Sequence, residues 1–104
     1  MQNPYNTQAS VLTTAGGQNS VLNVTTTTVV KNSPGRIVRL VFNAASTTAP
    51  AVYDFTATTG FAAANLIWQG ATTTAAQTVV YLEFPCANGI VVVPGGATVA
   101  VSYL

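Results

Sequence analysis

From Ser20 onward the chain alternates apolar and branched polar residues with the period of two that marks a half-buried strand, and no segment carries a helical period. Thr and Val dominate these stretches, and both favour a pleated surface because branching at Cβ restricts them to extended backbone. Ser20 to Val30 reads as one strand, with Leu22, Val24, Thr26, Thr28 and Val30 on one face. Asn32-Ser33-Pro34-Gly35 is a turn, since Pro presets one dihedral and Gly supplies a positive φ. Arg36 to Asn43 follows, with Val38, Leu40 and Phe42 on the core face and Arg39 on the other. After a Thr/Ala/Pro loop comes Ala51 to Thr56, then a loop over 57–64 with a helical turn expected near Phe61 to Ala64. Asn65 to Gln69 is a short strand. Gln77 to Phe84 alternates most clearly, with Val80, Leu82 and Phe84 inward, Glu83 outward and Pro85 as its stop. Asn88-Gly89 is a tight-turn signal. Ile90 to Val93 is a buried strand, Pro94-Gly95-Gly96 turns, and Ala97 to Leu104 is the last strand, carrying Val99, Val101 and Tyr103.

Seven to eight short strands at regular spacing predict an all-β fold: a single-domain antiparallel β-sandwich, jelly-roll-like. Residues 1–19 are polar and end in Gly16-Gly17-Gln18-Asn19, so they read as an N-terminal arm or loop ahead of a sandwich domain over 20–104. Sandwiches leave edge strands, which other proteins protect with charge. This chain lacks that charge, so its edges are expected to be covered by the arm or by neighbouring subunits.

Composition changes the picture most through what is missing. Only five of 104 residues are charged, Lys31, Arg36, Arg39, Asp54 and Glu83, and there is no histidine, whereas about a quarter of a soluble domain's residues are charged. A chain of this mass exposes roughly 5,500 Å² when folded, and one side of a standard interface covers roughly 800 Å². A contact patch could therefore contain no ion and escape the desolvation cost of burying one. A building block of an assembly is expected rather than an enzyme. Three scattered basic residues form no stripe, so nucleic acid is not an expected partner. Ile90-Val91-Val92-Val93 is too short to span a bilayer, and no signal peptide is recognisable, so neither membrane nor secretion is expected.

The few chemistry-bearing residues each have a plain structural reading. Cys86 is alone and lacks a histidine to activate it, so a buried structural thiol is expected. Asp54 and Glu83 are formally enough for a glycosidase pair, yet nothing in the sequence brings them together, and each can pair with Arg36 or Arg39. Lys31, Asn88 and Glu83 are the residue types of a Lys–Asn isopeptide bond, against which stands an exposed Lys at a strand end. Trp68, Tyr53, Tyr81, Tyr103 and Tyr5 could stack on a sugar, although the apolar neighbours of Trp68 favour a core or interface role. Asn23-Val24-Thr25 matches a glycosylation sequon by chance. No cofactor and no metal site is expected, because the ligand types are too few.

Four segments carry a family likeness. Val29-Val30-Lys31-Asn32-Ser33-Pro34-Gly35-Arg36-Ile37-Val38-Arg39 resembles the strand, Pro-Gly-Arg, strand opening of small all-β virion accessory proteins of tailed bacteriophages. Ala51-Val52-Tyr53-Asp54 resembles their hydrophobic-Tyr-Asp strand. Leu82-Glu83-Phe84-Pro85-Cys86-Ala87-Asn88-Gly89-Ile90 is similar to their aromatic-Pro turn, and Val99-Ala100-Val101-Ser102-Tyr103 to their final strand. The likeness spans residues 29–103 and assigns no catalytic or ligand residue. It implies a capsid decoration (cement) protein, a homotrimer made in the host cytoplasm and carried on the virion's capsid surface against the major capsid protein. The alternative is a head- or tail-fibre module binding a host glycan or receptor, with loops 46–50, 57–63 and 70–76 as its tip. Pro4, Tyr5, Val11 and Leu12 in the arm are the candidate capsid or subunit contacts, with Val11 and Leu12 able to add a strand to an exposed edge.

Overall fold

The structure is a computed structural model that describes residues 19–104. Eight strands follow one another: β1 (Asn19–Val24), β2 (Thr28–Lys31), β3 (Gly35–Phe42), β4 (Ala51–Tyr53), β5 (Leu66–Gln69), β6 (Val79–Cys86), β7 (Ile90–Val93) and β8 (Val99–Tyr103). A single 3-10 turn, Ala63–Asn65, precedes β5. Asn65 holds that turn by accepting the Ala62 N–H on its side-chain oxygen at 3.0 Å.

The strands form two four-stranded antiparallel sheets, ordered β1-β8-β3-β6 and β2-β7-β4-β5. The pairs β1·β8, β2·β7, β3·β6 and β4·β5 nest as one long hairpin folded over on itself. The β3·β8 and β4·β7 pairings then close each sheet. This is the strand order of a jelly roll.

The connections gather at two ends. At one end the β3–β4, β5–β6 and β7–β8 loops are laced together: Ser46 N–H donates to Thr74 O at 2.9 Å, Thr74 N–H donates to Ser46 Oγ at 2.7 Å, and Thr47 N–H donates to Gly95 O at 2.8 Å. At the other end sit the β2–β3 and β6–β7 turns and the β4–β5 loop. Gly89 is required there, since a Cβ would stand 2.5 Å from Phe55 O and 2.6 Å from Lys31 O.

Between the sheets lies a core of Val24, Ile37, Leu40, Phe42, Val52, Cys86, Ile90, Val92, Ala97, Val99 and Val101. Trp68 packs against it from β5, its ring 6.2 Å from Phe42. Most of the expected core is present, with departures in β3, β1 and β6. In β3, Ile37 joins Leu40 and Phe42, while Val38 is buried outside this cluster. The cause is an irregularity between Ile37 and Arg39 that breaks the alternation. In β1, Leu22 was expected to share a face with Val24, yet it is 72% exposed. Register jumps there from Val21↔Val101 to Val24↔Val99, so two residues, Leu22 and Asn23, oppose one. Asn23 takes left-handed backbone (φ 60°) at this bulge.

The expected strand over 20–30 is thus two strands in different sheets, with the chain crossing between them at 25–27. Nor does Pro85 stop β6, which runs on to Cys86. A proline is tolerated because β6 is an edge strand and need not donate outward. Phe84 was expected to be buried and is 46% exposed, after a bulge that places Leu82 and Glu83 opposite Val38.

All four edge strands carry such an irregularity against their inner neighbours: β1 at Leu22–Asn23, β6 at Leu82–Glu83, β2 at Val30 and β5 at Ile67. A bulge leaves a residue unpaired and twists the margin away from a flat template. The edges therefore possess a protection that needs no charge, which the expectation of covered edges did not consider.

Candidate functional site

The two carboxylates have separate duties. Asp54 follows β4, and its side chain reaches across to the β6–β7 turn. Its Oδ1 accepts the N–H groups of Asn88 (2.8 Å) and Gly89 (3.2 Å), and its Oδ2 accepts that of Ala87 (3.1 Å). Burial pushes its pKa up, but the three backbone N–H groups outweigh that and hold the carboxyl below its ordinary value. Glu83 lies on the β6 bulge with a positive φ of 47° and an exposed side chain. Its carbonyl, displaced from the regular ladder, accepts a hydrogen bond from Arg36 Nη2 at 2.9 Å. Arg36 thus serves a backbone oxygen rather than a carboxylate.

Cys86 is buried, with its Sγ 3.7 Å from Phe84 O. Burial pushes its thiol pKa up, with the Asp54 charge adding to this against a hydrogen bond from the Ile37 backbone. Those are the surroundings of an inert thiol. Lys31 is half-buried, its stem lying over Gly35. Asn88 and Glu83 are both exposed, so they do not form the apolar pocket an isopeptide bond would need.

The aromatics are dispersed rather than assembled into one platform. Trp68 and Tyr103 pack against the core. Tyr53 is capped by Phe61 from the β4–β5 loop, ring centroids 4.2 Å apart, with Phe55 edge-on to Phe61 at 6.4 Å. This trio covers part of the β2-β7-β4-β5 sheet. Tyr81 stands on the other sheet beneath the Arg39 guanidinium, 5.1 Å from its ring centroid. The loops expected to form one tip are also divided: 46–50 and 70–76 meet at one end, while 57–63 belongs to the connection at the other.

What the fold does assemble is the outer face of the β1-β8-β3-β6 sheet. Register places Ser20, Ser102, Arg39 and Tyr81 in one row across the strands, and Ala100, Val41 and Val79 in the next, with Leu22 bulging beside them. Tyr81 is 67% and Val79 41% exposed. Of the five large apolar side chains left open to solvent among the described residues, Leu22, Val79, Tyr81 and Phe84 belong to this sheet and only Leu66 to the other. A shallow concavity of about 240 Å³ lies over it, lined by Ser20, Leu22, Arg39, Val41, Ala100 and Ser102, with Val101 below. Two polar atoms at this surface, Arg39 Nε and Ser102 Oγ, are buried without a hydrogen-bond partner among the described residues.

No known protein family matches the chain, and no curated protein or solved structure is significantly similar to it. The site must therefore be judged on its chemistry. An apolar sheet face with one cation and unsatisfied polar atoms is suited to contact with another macromolecule. Sequence reasoning placed Arg39 off the core face but did not single out Leu22, Val41, Val79, Tyr81, Ala100 and Ser102 as a set. Their alternation was visible, whereas their juxtaposition depends on strand order. The arm residues Pro4, Tyr5, Val11 and Leu12 lie outside the described residues.

Proposed function

We propose that this chain is a non-enzymatic structural subunit of a tailed-bacteriophage virion, a capsid decoration protein that binds the outer head surface as a homotrimer and reinforces contacts between capsomers. The observation that carries the reading is the charge-poor jelly roll whose uncapped sheet face is apolar. The same scaffold recurs in viral capsid subunits, and that likeness is an analogy of fold alone.

A second support comes from where the family-like segments fall. Asp54 clamps the Ala87-Asn88-Gly89 turn, and Gly89 packs on the backbone of Lys31 beside the Asn32-Ser33-Pro34 turn that leads into Gly35 and Arg36 of β3. Three of the four segments meet at one end of the sandwich and act together as a structural clamp. Their function is to fix the fold, in keeping with a family whose shared residues are not catalytic.

Each contact of a decoration subunit can be modest, because attachment through several subunits at once multiplies affinity. Mixing the purified chain with undecorated capsids and measuring co-sedimentation tests the reading. Saturable, stoichiometric loading is expected, together with a raised temperature of capsid disruption. Absence of loading at micromolar concentration refutes it. The fibre-tip alternative has less support, because its three loops lie at opposite ends of the sandwich.

A further inference from the structure

We propose that the outer face of the β1-β8-β3-β6 sheet is the surface on which a second copy of this chain docks, with Glu83 of one copy neutralising Arg39 of the next. The proposal deepens the subunit reading above and rests on it.

Self-association through strand addition is opposed by the fold, since all four margins are bulged. Contact must then use a face, and the two faces differ. That of the β2-β7-β4-β5 sheet is partly capped by Phe61 stacked on Tyr53. That of the β1-β8-β3-β6 sheet leaves Leu22, Val79 and Tyr81 in water. Strands of five to eight residues at about 3.3 Å rise and about 4.8 Å spacing cover roughly 430 Å² in projection. This is about half of the roughly 800 Å² that one side of a standard interface buries.

The polar groups specify the occupant. Arg39 sits at the centre of the face, and its recorded contact is the Tyr81 ring, which leaves Nε buried and unpaired among the described residues. Beside it in the register, Ser102 Oγ also lacks a partner. A partner that covers this face must bring an acceptor, because a guanidinium sealed under apolar surface without one is strongly unfavourable. Another copy can offer only two side-chain carboxylates. Asp54 is engaged by three backbone N–H groups. Glu83 is exposed on the neighbouring edge strand, and among the described residues only its backbone carbonyl is engaged, by Arg36. Among the described residues, the face thus carries one unpaired cation and its margin one unpaired carboxylate, the complement that a contact between copies requires.

The test is a charge swap read by sedimentation velocity and light scattering on the full chain. Arg39→Glu is expected to weaken self-association by about tenfold or more, and Glu83→Arg by a similar factor. The double variant, R39E with E83R, is expected to regain wild-type association to within about threefold. Glu83 is exposed, so E83R keeps the test valid if R39E unfolds, with circular dichroism checking each fold. A monomeric wild-type chain, association indifferent to E83R, or a folded double variant that fails to recover overturns the proposal. A monomer that still loads stoichiometrically onto capsids removes the contact between copies and leaves the subunit reading intact. Association that follows the charge swap in a chain that ignores capsids does the reverse.

Discussion

Replacing Asp54 with Ala removes all three hydrogen bonds that hold the β6–β7 turn. A hydrogen bond to a charged group contributes about 1.5–3 kcal/mol net, but three such values cannot simply be added. Ala87 and Asn88 are exposed, so water takes over their N–H groups and offsets most of the loss. Gly89 is buried, and its N–H, left unpaired, costs about 1–3 kcal/mol. A total of about 2–3 kcal/mol follows. In a domain of this size each kcal/mol lowers Tm by about 4–8 °C, so a fall of about 8–24 °C is expected by calorimetry at pH 7. Asp54→Asn keeps one acceptor oxygen and should cost about 1 kcal/mol. The dependence on pH supplies the check. The folded carboxyl has a lowered pKa, so its charge stabilises the fold above about pH 3.9, the ordinary Asp value, and that contribution is lost as pH falls through the folded pKa. The gap between wild type and D54N should therefore be widest at neutral pH and should shrink as pH falls through the lowered folded pKa. A D54A loss below about 0.5 kcal/mol, or a D54N gap that ignores pH, would refute the clamp as a source of stability.

Three further outcomes are expected. Phe42→Ala empties the centre of the core beside Trp68 and should cost about 3–5 kcal/mol in urea unfolding, with a red shift of the Trp fluorescence. Ser46→Ala leaves the buried Thr74 N–H without its acceptor and should cost about 1–3 kcal/mol in the same assay, while Thr72 O loses a donor. Cys86 should react with an aromatic disulfide reagent at least about a hundredfold more slowly in the native chain than in denaturant, because it is buried and its pKa is raised. Reaction of the native thiol at the unfolded rate would contradict that placement.

Much of this architecture could be read along the chain because the strands are short and sharply punctuated. Ile90–Val93 matches β7 to the residue, and the turns at Asn88-Gly89 and Gly95-Gly96 lie where expected, whereas Gly35 opens β3 without the positive φ assigned to it, and the turn is made by Asn32 to Pro34. What escaped were features set by distant partners. Thr25 to Thr27 favour extended backbone as strongly as their neighbours, so nothing local announces the crossing between sheets. The β1 and β6 bulges carry a positive φ at Asn23 and Glu83. Asparagine gives a faint hint of that conformation and glutamate gives none. Asp54 was visible as a carboxylate just after a strand, but the turn it holds lies 33–35 residues further on. The candidate face is a case of the same kind. Arg39 was legible as the residue opposite Leu40 and Phe42, while its neighbours Ser102 and Tyr81 come from strands fixed only by the jelly-roll order.

The kinked margins have one more consequence. Crowding many β-rich copies together invites indefinite stacking into amyloid, since a straight margin hands its hydrogen bonds from one molecule to the next without limit. Here every border is broken at its own position, so a growing fibril would lose its template at the first addition. High local density can then produce finite complexes, whose size is set by how broad surfaces meet.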